Sequence, residues 1–143
     1  MKNLLFPLFL STVLLSCDDT SQNSDGVYDV SLLEQKTEMT FTKDFHDFGE
    51  ITEGEVVSTE FEFENTGDAD LIITQASAPC GCTVPSYPKH PIAPGEKGVI
   101  KVEFNSEGKP ANQHKKVTVI ANTEKASNIV AIRAFVKTSN NLE

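Results

Sequence analysis

The feature that most constrains this chain is a two-residue period in its apolar side chains, running from Met39 to Val136. Met39 and Phe41 alternate with Thr40 and Thr42. Val57, Thr59, Phe61 and Phe63 alternate with Ser58, Glu60, Glu62 and Glu64. Ile100, Val102 and Phe104 alternate with Lys101 and Glu103, and Val117 and Val119 alternate with Thr118 and Ile120. Ile129 to Val136 is a longer apolar run, broken by Arg133. Successive side chains on a strand point to opposite faces, so this period predicts strands with one buried and one wet face. No window of useful length carries a helical period.

Turn residues punctuate these runs. Glu53-Gly54-Glu55 precedes one strand and Asn65-Thr66-Gly67-Asp68 ends it. Pro94-Gly95-Glu96 precedes another, which Ser106-Glu107-Gly108 ends, and the segment from Asn122 to Ala126 separates the last two. Leu71 to Ala76 reads as a further strand. Gly49, Gly67 and Gly95 sit where turns call for positive φ. Short strands at this spacing predict an all-β fold. About seven strands in about a hundred residues favour an Ig-like antiparallel β-sandwich over residues 38–138, with a small barrel as the alternative. Residues 139–143 read as a tail.

The first residues read differently. Lys2 gives a charged start, and Leu4 to Leu15 is apolar apart from Pro7, Ser11 and Thr12. About a dozen apolar residues are too few for a helix to span a bilayer, which takes roughly 20. A short apolar stretch between a charge and small residues is a secretory signal. Leu14-Leu15-Ser16-Cys17 resembles the bacterial lipobox. The resemblance implies removal of residues 1–16, diacylglycerol on the Cys17 thiol and acylation of the new amine. Two or more acyl chains hold a protein stably on a membrane. The expected location is therefore the cell envelope, at the outer membrane, on its periplasmic face or the cell surface.

Cleavage would leave 127 of the 143 residues, one domain's worth, and would take the net charge from −9 to −10 by removing Lys2. So acidic a chain has no basic stripe to neutralise phosphates, which argues against nucleic acid as a partner. Asp18 to Gly26 is polar and acidic with nothing to bury, so residues 17–37 read as a tether. Extended at about 3.3 Å per residue, it would reach roughly 60 Å. Tyr28 to Lys36 carries Val30, Leu32 and Leu33 and fits either a short helix or an early strand.

The motifs in their order resemble one family. Phe45-x-Asp47-Phe48-Gly49-Glu50-Ile51, Gly54-Glu55 and Phe61-x-Phe63-x-Asn65-Thr66-Gly67 match its first half. Cys80-Gly81-Cys82-Thr83, Pro91-Ile92-x-Pro94-Gly95-Glu96 and Ile100-x-Val102-x-Phe104 match its second. The chain resembles the bacterial domain of unknown function 1573 over about Met39 to Val136. The resemblance implies an Ig-like sandwich and no known activity. Pro79 stands where the family commonly has serine, and Ala121-Asn122 where it has Ser-Asn.

Cys80 and Cys82 are what the fold leaves unexplained. They lie among Pro79, Pro85, Pro88, Pro91 and Pro94, which stiffen the segment and remove ladder donors. Three readings are open. Export and an even count, once Cys17 is set aside, put a disulfide first. Two buried free thiols come second. Copper or zinc binding comes third, with only His46, His90 and His114 to add nitrogen ligands. No triad order, phosphate loop or carboxylate pair stands out, so no enzyme activity, cofactor or resident metal is expected. The expected role is a membrane-anchored, non-catalytic interaction domain contacting another envelope protein. Its contact loop would run from Pro79 to Pro94 and include Tyr87 and His90. The alternative is thiol redox or metal handling at Cys80 and Cys82.

Overall fold

The computed structural model describes residues 30–125 and 127–138. The segment read as a signal (1–16), Cys17, most of the stretch read as a tether and the segment 139–143 read as a tail lie outside these residues. Among the described residues no helix is long and apolar enough to cross a membrane.

A five-residue helix, α1 (Val30–Glu34), precedes eight strands. These are β1 (Met39–Phe41), β2 (Phe45–Thr52), β3 (Val56–Asn65), β4 (Ile73–Ser77), β5 (Thr83–Ser86), β6 (Lys97–Asn105), β7 (Ala111–Ala121) and β8 (Asn128–Lys137). They form two four-stranded sheets in the orders β1-β3-β6-β5 and β2-β8-β7-β4. The expected sandwich is present, with eight strands rather than about seven and one parallel pair, β2 with β8. Both differences have one cause. The extended stretch from Met39 to Thr52 is divided at Thr42–Asp44. Its first part pairs antiparallel with β3 in one sheet, and its second part continues into the other sheet beside β8.

The core lies between the sheets and is built from the alternating residues. Phe61, Phe63, Ile100, Val102 and Phe104 of one sheet face Val117, Val119, Val130 and Ile132 of the other, all fully buried. The run from Ile129 to Val136 keeps the two-residue period despite its apolar sequence. Val130, Ile132, Ala134 and Val136 are buried, while Ile129 and Phe135 are 48% and 40% exposed. The strand expected over Leu71–Ala76 begins later, at Ile73. Leu71 instead makes an isolated bridge to Ile92, and Leu71, Ile72 and Ile73 are all buried.

Gly49 and Gly95 adopt the positive φ expected, at 70° and 78°. Gly67 does not, and a different constraint holds it. A Cβ there would lie 2.2 Å from Thr37 Oγ1 and 2.6 Å from the Glu38 nitrogen. Gly67 thus lets the chain before β1 pass close over the end of β3. Thr37, within the stretch read as tether, is buried and donates its N–H to the Asn122 carbonyl at 3.0 Å.

Candidate functional site

The segment from Pro79 to Pro94 joins the sheets along one side of the sandwich and carries β5. The sulfurs of Cys80 and Cys82 are bonded, with their Cα atoms 5.2 Å apart. Both residues are half-buried and Gly81 between them is exposed. The small ring is tied to its surroundings by backbone. Thr83 N–H donates to the Cys80 carbonyl at 3.3 Å, and Asn105 N–H donates to the Cys82 carbonyl at 2.9 Å. The Thr83 hydroxyl lies 3.8 Å from each sulfur.

Tyr87 is anchored. Its ring packs on the core, its hydroxyl donates to the Thr74 carbonyl at 3.0 Å, and Lys89 Nζ stands 3.3 Å from the ring centroid. At an exposed site such as this, a cation over a ring contributes about 0.5–1 kcal/mol. Pro79 and His90 are exposed. The large apolar side chain the segment presents is Val84, 59% exposed. Proline stiffness, the cysteine ring and the Tyr87 anchor together hold that surface in one shape, which lowers the entropy cost of binding.

The histidines are not brought together. His46 lies edge-on to Phe48, 4.6 Å between ring centres. Its pKa is lowered by partial burial first and by the Lys43 charge second. His114, exposed on β7 of the same sheet, lies beside Phe45. Among the described residues no three His, Cys, Asp or Glu side chains cluster as metal ligands would. Asp47, read as a turn residue, accepts from Arg133 Nε at 3.1 Å and forms an ion pair with that guanidinium. It also accepts from the Gly49 N–H at 3.0 Å. These bonds, that of Arg133 first, hold the Asp47 carboxyl below the usual carboxylate range.

Two buried asparagines escaped the sequence reading, and they organise one end of the sandwich. Asn65 accepts from Thr37 Oγ1 at 2.7 Å and from the Gly67 N–H at 3.2 Å. Its amide donates to the carbonyls of Ala69 and Ile92, both at 2.8 Å. Asn122 accepts from the Ile72 N–H at 2.7 Å and donates to the carbonyls of Gln35 and Asp70, both at 2.8 Å. It also reaches the Leu32 carbonyl at 3.3 Å, tying α1 to the sandwich. The alternation of β3 places Asn65 on the core face, which was the available signal.

The comparisons agree with this architecture. The family model described as protein of unknown function (DUF1573) matches residues 39–136. A search of curated proteins finds no match to the sequence. Among solved structures, a protein of unknown function from Porphyromonas gingivalis W83 superposes with a TM-score of 0.62 at 16% identity, over 72% of this chain and 48% of that one. The ASH/PapD-like domain 7 of human CEP192 gives 0.59 at 11% identity, over 73% and 88%. The VesB protease of Vibrio cholerae gives 0.53 at 16% identity, over 76% and 34%. This chain therefore spans about half the length of the Porphyromonas protein and a third of the protease. At such identities the likeness shows the sandwich fold alone. The family match covers more than half of the chain, and the chain belongs to the family of domain of unknown function 1573.

Proposed function

We propose that this protein is a lipoprotein of the bacterial cell envelope, anchored through Cys17, whose Ig-like domain is a non-catalytic module that binds another envelope protein. The observation that carries the binding reading is the stiffened segment from Pro79 to Pro94. It holds Val84 in the open, while Tyr87, the cysteine ring and the prolines fix the backbone beneath it. Loops held by a rigid scaffold are where domains of this architecture make contacts. The lipobox-like Leu14-Leu15-Ser16-Cys17 supports the anchor. The two readings need separate tests.

For binding, Val84 is replaced in cells by the photo-crosslinking residue p-benzoylphenylalanine, with Asn112 replaced in a control. A discrete protein adduct from position 84 and none from position 112 is the expected result. Equal or absent adducts overturn the contact surface. For the anchor, Cys17→Ser is expected to move the protein from the membrane pellet into the soluble fraction. An unchanged distribution overturns the anchor.

A further inference from the structure

We infer that the free edge of β1 is a second binding surface, one that takes an extended segment of a partner protein, with apolar and basic side chains in alternation, as an added strand. This deepens the interaction reading but rests on a different part of the molecule, since β1 and β5 are at opposite edges of their sheet.

The ladder between β1 and β3 sets the direction of the backbone groups. Thr66 N–H donates to the Glu38 carbonyl at 2.9 Å, and Thr42 N–H to the Glu62 carbonyl at 3.0 Å. These bonds flank the pairs Met39–Asn65 and Phe41–Phe63. An antiparallel pair flanked in this way turns its own N–H and C=O groups away from its partner. Met39 and Phe41 therefore direct two donors and two acceptors outward, and no described residue pairs with them. Thr37 has the same outward parity, but its N–H is taken by the Asn122 carbonyl. The free stretch begins where that bond ends.

The other three edges are each interrupted. The outward positions of β5 are Thr83, whose N–H is bonded to Cys80, and Pro85, which has none. At β4, the Thr74 carbonyl accepts from Tyr87 and Leu71 bridges to Ile92. At β2, the register shifts between Asp47 and Glu50, and the Gly49 N–H is held by the Asp47 carboxylate. Bulges and proline are the usual means of keeping sheet edges from pairing. The β1 edge has neither.

A groove of about 540 Å³ lies along this edge, between β1 and the start of β8. A strand added here would point every second side chain toward the seam between the sheets, beside Phe41. Apolar groups fit there. The intervening side chains would lie on the outer face beside Thr40, near Glu62 and Glu64 of β3. On that face Lys97 is opposite Glu64 and Lys101 opposite Glu60 on the far side, Lys43 stands with Glu60 and Glu62 past the end of β1, and Glu62 is opposite Val99. Basic groups fit there. A second copy of β1 would offer Glu38, Thr40 and Thr42 instead, with charge of the wrong sign. Main-chain bonds supply the affinity of such an added strand and the alternating side chains its specificity.

The test uses the full chain in detergent and three capped nonapeptides. One alternates lysine and valine. A second has the same composition with its lysines in one block, and a third alternates glutamate and valine. The first is expected to slow amide exchange at Met39 and Phe41, leave Val84 and Ser86 unchanged, and bind at least tenfold tighter than either of the others. Phe41→Pro deletes one outward donor and is expected to weaken binding at least tenfold. Unchanged exchange over Ile100 to Phe104 verifies its fold, and if it does not fold, exchange in the unmodified protein decides. No slowing at Met39 and Phe41, equal binding of the block peptide, or dimers of the chain paired through β1 would each overturn the inference. The crosslinking result at Val84 stands or falls apart from all of these.

Discussion

The two edges of the sheet β1-β3-β6-β5 finish in opposite ways. At β5 the chain closes its own edge, with a proline, a carbonyl from the cysteine ring and a covalent bond between neighbouring loop residues. At β1 the described residues make one closing bond, at Thr37, and leave Met39 and Phe41 facing a groove. The first edge presents side chains on a stiff backbone. The second presents backbone. One sandwich thus offers two kinds of surface, stiffly held side chains on one side and open backbone on the other.

Substitutions can break the contrast. Gly67→Ala carries the largest expected effect. The new Cβ meets the backbone nitrogen of Glu38 at 2.6 Å, and backbone gives way poorly. We expect a loss of about 3 kcal/mol, read as a lower denaturant midpoint, and loss of exchange protection at Thr40 as β1 leaves β3. Protection at Thr40 surviving in the folded variant would mean that β1 does not depend on this close approach.

Replacing both Cys80 and Cys82 by serine should cost less. Closing a ring over so few residues contributes about 1.5 kcal/mol in the chain-entropy account. The Thr83 amide should then exchange faster while Pro85 still denies the edge a donor, so β5 should continue to refuse an added strand. Binding of the lysine–valine peptide at β5 in this variant would assign the closure to the ring rather than to the proline.

The smallest expected effect is at the β2 edge. The Asp47 carboxyl is held below its ordinary value of 3.8 by Arg133 and by the Gly49 N–H. Its contribution to stability is complete above that value and is lost as pH falls through the lower, folded one. Unfolding of the unmodified protein and of Asp47→Asn should therefore differ at neutral pH and converge in acid. A constant difference at every pH would show that the carboxylate charge is not what matters.

The strands were legible in the sequence because burial on one face leaves a two-residue period. Phe61, Phe63, Val102 and Phe104 all fall where that period puts them. The family could be read from the order of its motifs. What could not be read is which strands become neighbours, because pairing between sheets is set by long-range packing. The division of Met39–Thr52 between two sheets, and the parallel pairing it produces, left no local mark. Gly67 could be read as a turn glycine, but its reason is the passage of Thr37 and Glu38 over it, which is a tertiary fact. Asn65 and Asn122 are read as turn residues from composition, yet each satisfies backbone groups from separate parts of the chain. The openness of the β1 edge is of the same kind, since it depends on the ladder parity fixed by β3.

Residue-resolved hydrogen exchange of the unmodified, unliganded protein tests the central contrast most directly. The account predicts a sawtooth along β1, with Met39 and Phe41 exchanging much faster than Thr40, and no fast-exchanging outward amide at Thr83. Protection at Met39 and Phe41 equal to that at Thr40 would contradict it, because the β1 edge would then already be occupied.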